Sequence, residues 1–302
     1  MEPKQYYIGI DVGGTSVKEG LFDEDGNLLA KASVPTPPIV DAAGFAAVTE
    51  AIDQVVAKAQ IPRAFVAGIG LAVPCPIPAS GDAKVKANIA INLPELRVAI
   101  QEHCPDAVVK YENDANAAAM GEAWLGSAKG VQNVVMVTIG TGVGAGVLSG
   151  GKLVHGMMHP EAGHILVTRD PRDTIGAHSA CPFHDNCLEG LIAGPGVKRR
   201  WDGKSAGDMA DDPEAMDLLA GYLAQALMTF ILCYAPQKIV IGGGVADHPP
   251  IVPLARKKCA EMLNGYIVTP EVNDIDTYIV NNSLEGKQGI MGCLALGAQA
   301  LQ

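Results

Sequence analysis

Twice along this chain an apolar run breaks at glycines in the same rhythm. YYIGIDVGGTSVKEGLFDEDGNLLA, residues 6–30, and VVMVTIGTGVGAGVLSGGKLV, residues 134–154, each read as a strand, a Gly-rich tight turn, a second strand, a Gly turn and a third strand. The glycines fall where positive φ or close approach of a ligand is needed: Gly13 and Gly14 in the first stretch, Gly140, Gly142 and Gly144 in the second. A hairpin that recurs once, over a hundred residues later, predicts a duplicated domain, and two copies are too few for a repeat array.

Helical periodicity over 43–59 leads to a strand, AFVAGIGLAVP, then a Pro-rich loop, a short helix and a strand, AVVKYE. After the second hairpin comes an irregular stretch, 155–190. Helical residues 213–233, the strand KIVIGGGV, a helix near 250–264, a strand DTYIV and a terminal helix within 287–301 complete the chain. Strands alternating with helices predict an α/β fold. The domain change is expected near residue 118, giving lobes 1–117 and 118–286, with the last helix (287–302) folding back on the first. A Gly-rich hairpin in each lobe predicts a nucleotide in the cleft between them.

Composition narrows the partners. At 302 residues and 48% hydrophobic, the chain has material for two cores, while 5% aromatics argue against a stacking platform for single strands. A net charge of −11 gives no field toward nucleic acid or anionic lipid, so neither is expected as a partner. The start, MEPKQYYIGIDVGG, runs straight into a strand without a signal peptide, and no apolar run reads as a bilayer span. A cytoplasmic protein with free thiols is expected. Of seven cysteines, Cys75, Cys104, Cys233, Cys259 and Cys293 are scattered as ordinary thiols, and Cys181 and Cys187 lie close enough to suggest a metal.

Three segments carry chemistry. In IGIDVGGTSVK the Gly-Gly-Thr turn (Gly13, Gly14, Thr15) offers backbone N–H groups and a hydroxyl to an anion, and Asp11 beside it suits Mg²⁺ held through water. Lys18 reads equally as a phosphate ligand or a solvated strand lysine. GTGVGAG, with Thr141 and Gly142, and IGGGV, with Gly243 and Gly244, add Gly turns that could line phosphates or adenosine. The pattern is neither a P-loop nor a Rossmann fingerprint. In YENDANAAAMGEAWLG a strand ending at Tyr111 meets a helix starting at Ala115, which leaves Asn113 and Asp114 at a helix N-terminus. They read as a helix cap or as a carboxylate kept ionised by the helix dipole for catalysis. In GMMHPEAGHILV…CPFHDNCLEG, Cys181, His184 and Cys187 follow C-x2-H-x2-C with His164 upstream, a donor set that suits tetrahedral Zn²⁺ stapling a loop with little core. His159 and His178 are rival fourth ligands. Glu161 and Glu189 flank the ligands, either aimed at hydroxyls by the pinned loop or solvated as surface charges.

DVGGTSVK, ENDAN, GTGVGAGVL, PEAGH, C-x2-H-x2-CLEG and IGGGV stand here in the order found in sugar kinases of the ROK family (repressor, open reading frame, kinase), which the whole chain resembles. The resemblance implies two actin-like (ribonuclease H-like) lobes closing over ATP and a sugar in an interlobe cleft, a zinc-stapled loop at 155–190, and a homodimer. It implies Asp114 as the base and Asn113 as a sugar ligand. Glu161 would contact the sugar, His164 both zinc and sugar, and Glu189 the sugar again. Asn88, in ANIAINLP, takes the place of the family's Pro-Asn-Leu sugar loop. Gly14, Thr15, Thr141, Gly142 and Gly243 fall in its ATP-phosphate motifs.

Three departures stand out: histidine in the middle of the metal motif, Pro-Glu-Ala-Gly-His for the usual Gly-Glu-Ile-Gly-His, and Cys75 for a common glycine. The first two, with CPFHDNCLEG, LNGYI and the late DTYIV, resemble the bacterial fructokinase branch, whereas residues 68–94 are less typical of it. The family's repressors carry an N-terminal helix-turn-helix, for which a hairpin starting near residue 6 leaves no room. The implied reaction is transfer of the ATP γ-phosphoryl group to the 6-hydroxyl of a hexose, fructose first, with glucose or mannose as runner-up. A non-catalytic sugar sensor and a polyphosphate-dependent kinase are the rivals.

Overall fold

β1 (Tyr6–Val12), β2 (Ser16–Phe22) and β3 (Leu28–Pro35) form the antiparallel meander expected of the first apolar stretch. The computed structural model describes residues 5–77, 90–248, 250–284 and 286–299. α1 (Ala42–Ala59) starts where the Asp41 carboxylate accepts the Ala43 and Gly44 N–H groups, and stops at Gln60, left-handed at φ 57°. Its Val48, Ile52 and Val55 pack on Ile8, Ile10, Leu21 and Ile69 of the sheet. β4 (Val66–Val73) follows a single 3-10 turn at Arg63–Phe65, then α2 (Leu93–His103) and β5 (Val108–Asn113). β4 and β5 run parallel to β1, giving the order β3-β2-β1-β4-β5. α3 (Asp114–Leu125) begins with no residue between it and β5.

The second stretch builds the same frame. β6 (Val134–Ile139), β7 (Val143–Ser149) and β8 (Lys152–Leu153) are antiparallel; Gly150 and Gly151, at φ 59° and 77°, form the two-residue turn before β8. α4 (Leu188–Ile192), α5 (Gly194–Arg200) and α6 (Pro213–Tyr234) precede β9 (Lys238–Gly242). α7 (Ile251–Leu263), α8 (Pro270–Asn273) and α9 (Ile275–Tyr278) lead to β10 (Ile279–Asn281). This sheet has the order β8-β7-β6-β9-β10, the match of the first strand for strand. α6 is long and apolar enough by length and composition to cross a membrane, against the sequence expectation that no run is. Here it is the core helix of its unit, with Leu219, Leu223, Leu227 and Phe230 packed beneath β6 and β9.

The chain divides into two compact units, 1–125 with 155–159 and 284–302, and 126–154 with 160–283. Residue 118, where the sequence pattern put the change, lies inside α3; a continuously hydrogen-bonded helix stays whole, so the division falls at its end. The terminal helix, α10 (Gln288–Gln299), returns to the first unit. Glycines let it in: a Cβ on Gly9 would sit 2.7 Å from the Ile290 carbonyl oxygen, and one on Gly121 2.8 Å from that of Gln288. DTYIV, expected as a strand, is half helix. Asp274 O accepts the Thr277 and Tyr278 N–H groups, and the Tyr278 hydroxyl reaches Pro236 O at 3.1 Å, leaving only 279–281 to pair with β9.

Candidate active site

In the first unit the β1–β2 turn is closed by Gly13 N–H to Ser16 O at 3.0 Å and tied to β3 by the Thr36 hydroxyl on Gly13 O at 2.6 Å. Gly14 and Thr15 are exposed, and a Cβ on Gly14 would meet nothing within 4 Å. The turn thus offers open backbone, as an anion cradle requires. Asp11 stands across the hairpin from Lys18. Burial raises the Asp11 carboxyl above its ordinary value, and the Lys18 charge works against that shift.

The reversal from β5 into α3 leaves no loop in which to satisfy the first helical N–H groups. Side chains satisfy them instead. Asn113 Oδ1 accepts Ala115 N–H at 2.9 Å and Asn116 N–H at 3.4 Å, and Asp114 Oδ1 accepts Ala115 N–H at 2.8 Å. Behind them the buried Glu112 takes Asn113 N–H at 2.7 Å and the Asn116 amide at 3.2 Å on Oε1, and His155 Nε2 at 2.8 Å on Oε2. The Cys75 thiol is pushed up to about 11 by burial and by the Asp114 charge, so it meets that carboxylate as a neutral group.

In the second unit the β6–β7 turn carries exposed Thr141 and packs Gly142 against Glu189. Glu189 Oε2 accepts Val143 N–H at 2.9 Å, and a Cβ on Gly142 would lie 2.7 Å from that oxygen. Val143 also receives the Glu161–His164 turn, because a Cβ on Gly163 would overlap the Val143 carbonyl. Gly243, at φ 99°, lies on Ile139, where Val245 N–H reaches Ile139 O at 2.9 Å; Gly244 is exposed beside it.

His164, Cys181, His184 and Cys187 bring their donor atoms within 4.8 Å of one another. Cys181 Sγ lies 3.6 Å from His184 Nδ1 and 3.8 Å from His164 Nδ1. Bond lengths of about 2.3 Å to sulfur and about 2.0 Å to nitrogen around a tetrahedral ion give a similar S···N edge of roughly 3.6 Å. Both sulfurs accept backbone N–H groups, Cys181 from Phe183 at 3.5 Å and Cys187 from Gly190 at 3.4 Å. The donor set therefore fits Zn²⁺. Neither rival histidine belongs to the cluster: His178 pairs with Asp185 at 2.7 Å, and His159 is buried in the other unit. The other ring nitrogen of His164, Nε2, faces Glu189 Oε1 at 3.8 Å, too long for a direct hydrogen bond.

Among the expected site residues, Asp11, Gly13, Gly14, Thr15, Lys18, Asn113 and Asp114 lie in the first unit. Thr141, Gly142, Glu161, His164, Glu189, Gly243, Gly244 and the other metal-type ligands lie in the second. Asn88 lies outside the described residues. Of the nucleotide-type glycines only Gly243 has positive φ; at Gly13 and Gly142 a Cβ would crowd Ser16 O and Glu189, and at Gly14 and Gly140 the space is open. The sequence pattern passed over Glu112 and His155, since nothing local pairs residues 43 apart.

A family model described as "ROK family" matches residues 7–300. The fructokinase of Pediococcus pentosaceus is 43% identical over 192 residues, 64% of this chain and 65% of that protein. This chain thus spans just under two thirds of that relative. The fructokinase of Lactococcus lactis subsp. cremoris is 34% identical over 276 residues, 88% of each, and glucokinases also match, at 30% identity. Among solved structures, a ROK hexokinase from Thermus thermophilus superposes with a TM-score of 0.81 at 26% identity, covering 98% of this chain and 99% of that one.

Proposed function

This chain belongs to the ROK family, and we propose that it is an ATP-dependent hexose kinase phosphorylating the 6-hydroxyl of fructose. The observation that carries the reading is the capped Asn113–Asp114 turn at the start of α3. Its Oδ1 accepts the Ala115 N–H, which fixes the carboxylate at the helix start; in this reading that carboxylate orients a hydroxyl and takes its proton. In a loose phosphoryl-transfer transition state the proton moves late, so a base is required mainly to position the nucleophile.

The remaining roles follow residue by residue. Gly13, Gly14, Thr15, Thr141, Gly142, Gly243 and Gly244 present backbone and hydroxyl donors to the phosphates, with Lys18 beside the first turn. Asp11 is the residue to hold Mg²⁺ through water, and that ion would supply neutralising charge. Asn88, Asn113, Glu161, His164 and Glu189 take the sugar hydroxyls. Glu189 suits this because the Val143 N–H and the packed Gly142 already fix its carboxylate. His164, Cys181, His184 and Cys187 hold structural Zn²⁺, whose part is to pin the loop that carries Glu161 and Glu189. A homodimer is expected, and light scattering on the purified chain checks it.

Coupled ADP-release assays at saturating Mg·ATP with fructose, glucose, mannose and N-acetylmannosamine test the proposal. The expected result is the highest kcat/KM for fructose. A site built on paired hydroxyls punishes an inverted one, because buried polar groups then lose partners. If glucose or mannose wins, the kinase stands and the fructose assignment goes. If no sugar releases ADP, exchange of the donor for polyphosphate tests the second kinase reading, and failure of both leaves a sugar sensor.

A further inference from the structure

Behind the Asn113–Asp114 turn lies a buried carboxylate with no part in the roles above. The Glu112 side chain is 9% exposed and holds three N–H donors: Asn113 N–H and the Asn116 amide on one oxygen, His155 Nε2 on the other. A carboxylate only accepts, so the proton of that last bond resides on His155 Nε2. β5 and α3 meet without a linker, so any rotation of Glu112 is passed directly to Asn113 N and thence to Asp114. His155 itself opens the short segment 155–159, which belongs to the first unit although the chain on either side belongs to the second.

We infer that His155 is a positioning residue that acts through Glu112 to hold the Asn113–Asp114 turn in its reactive orientation, an inference that rests on reading Asp114 as the base. Removal of the His155 donor leaves Glu112 Oε2 buried without that partner. The carboxyl then has to rotate toward water, and that loosens its grip on Asn113 N–H and Asn116. Neither His155 nor Glu112 touches the reacting groups under this reading. The effect therefore falls on the geometry of the turn, where displacement of about 1 Å can lower a rate roughly 100-fold.

Two variants and two readouts test this. His155→Phe keeps the ring and removes the donor, whereas His155→Gln restores an N–H at similar reach. His155→Phe is expected to lower kcat with the better sugar by about 10- to 100-fold while KM for ATP stays within about twofold, and His155→Gln to recover most of the loss. Hydrogen exchange supplies the second readout, independent of turnover. Amides 113–116 should exchange faster in His155→Phe and return to wild-type rates in His155→Gln, with β4 unchanged. The inference is overturned if His155→Phe keeps wild-type exchange at 113–116, if it keeps full kcat, or if His155→Gln is no better than His155→Phe. A wild-type protein with no sugar-dependent ADP release would count against the kinase reading alone, and the exchange experiment would still decide whether His155 holds the turn.

Discussion

The two sheets share one plan and differ in what hangs on it. In each, a Gly-turn hairpin supplies the centre and one edge, and two parallel strands supply the rest. Register aligns them residue by residue: Asp11 pairs with Lys18 where Thr138 pairs with Gly144, so Asp11 answers to Thr138 and Glu19 to Ala145. The carboxylates therefore belong to the first hairpin alone. At the far edge, β5 ends in Glu112 and Asn113 and Asp114 opens α3, whereas β10 is three residues long and ends in Asn281. Between the third and fourth strands the first unit inserts mainly α1, and the second inserts the Cys/His cluster with α4 to α6. The two units thus share a strand order and differ at their loops and edges, as expected where strands carry the core and connections carry chemistry.

The sharpest way to break this division of labour is Asp114→Asn. The amide keeps an oxygen for the Ala115 N–H, so the cap and the fold should persist. It cannot take the proton, and loss of a general base typically lowers a rate by about 10²–10⁴, or roughly 3–5 kcal/mol of barrier. The expected outcome is a large fall in kcat with ATP binding near normal by calorimetry. Retention of more than about a tenth of the activity would remove Asp114 from the role.

The second unit's contribution is tested through its cluster. Purified protein should contain about one Zn²⁺ per chain, since four donors close a single tetrahedral site. Cys187→Ala, or chelation, should raise the sugar KM by about tenfold or more, because the anchors of Glu161 and Glu189 go, while KM for ATP changes less. Elemental analysis and titration of each substrate read both. A metal-free preparation with full sugar affinity would sever the cluster from the sugar.

Much of this comparison is written in short stretches of chain. The hairpins follow from apolar runs broken at glycine, α6 from its period and Asp212–Pro213 start, and the cluster from cysteine and histidine spacing. What stayed hidden depends on distant partners. The Glu189 carboxylate reaches an N–H 46 residues away, and Glu112 a histidine 43 residues away. The strand expected at DTYIV failed because Tyr278 finds a buried acceptor at Pro236, 42 residues earlier, which no local pattern announces. The glycines of the phosphate-type turns were legible as turns, but whether each has positive φ or a close neighbour depends on residues as distant as Glu189 from Gly142.

The smallest expected effect concerns Glu19, the residue that most separates the two hairpins. Ala145 is at home in the apolar face of its sheet; Glu19 lies fully buried at the corresponding point, and neither carboxylate oxygen has a hydrogen-bond partner among the described residues. Burial, with the charge of Asp53 adding to it, drives its carboxyl well above the ordinary 4.5, so it folds as a neutral acid. Asp53 is itself engaged by Arg63 at 2.8 Å and His103 at 2.9 Å, and Cys104, also near, stays a neutral thiol at about 11. The sign follows from proton counts. Below about pH 4.5 folded and unfolded chains both carry the proton, and the full stability is present. As pH rises, the unfolded chain releases that proton first, so stability falls by up to about 1.4 kcal/mol per pH unit until the folded carboxyl also ionises. Glu19→Gln keeps the shape but cannot ionise, and Glu19→Leu removes the polar group altogether. Thermal melts from pH 5 to 9 should show both variants gaining on wild type as pH increases, most clearly at the alkaline end. Parallel curves for wild type and Glu19→Gln would mean that Glu19 does not fold in its neutral form.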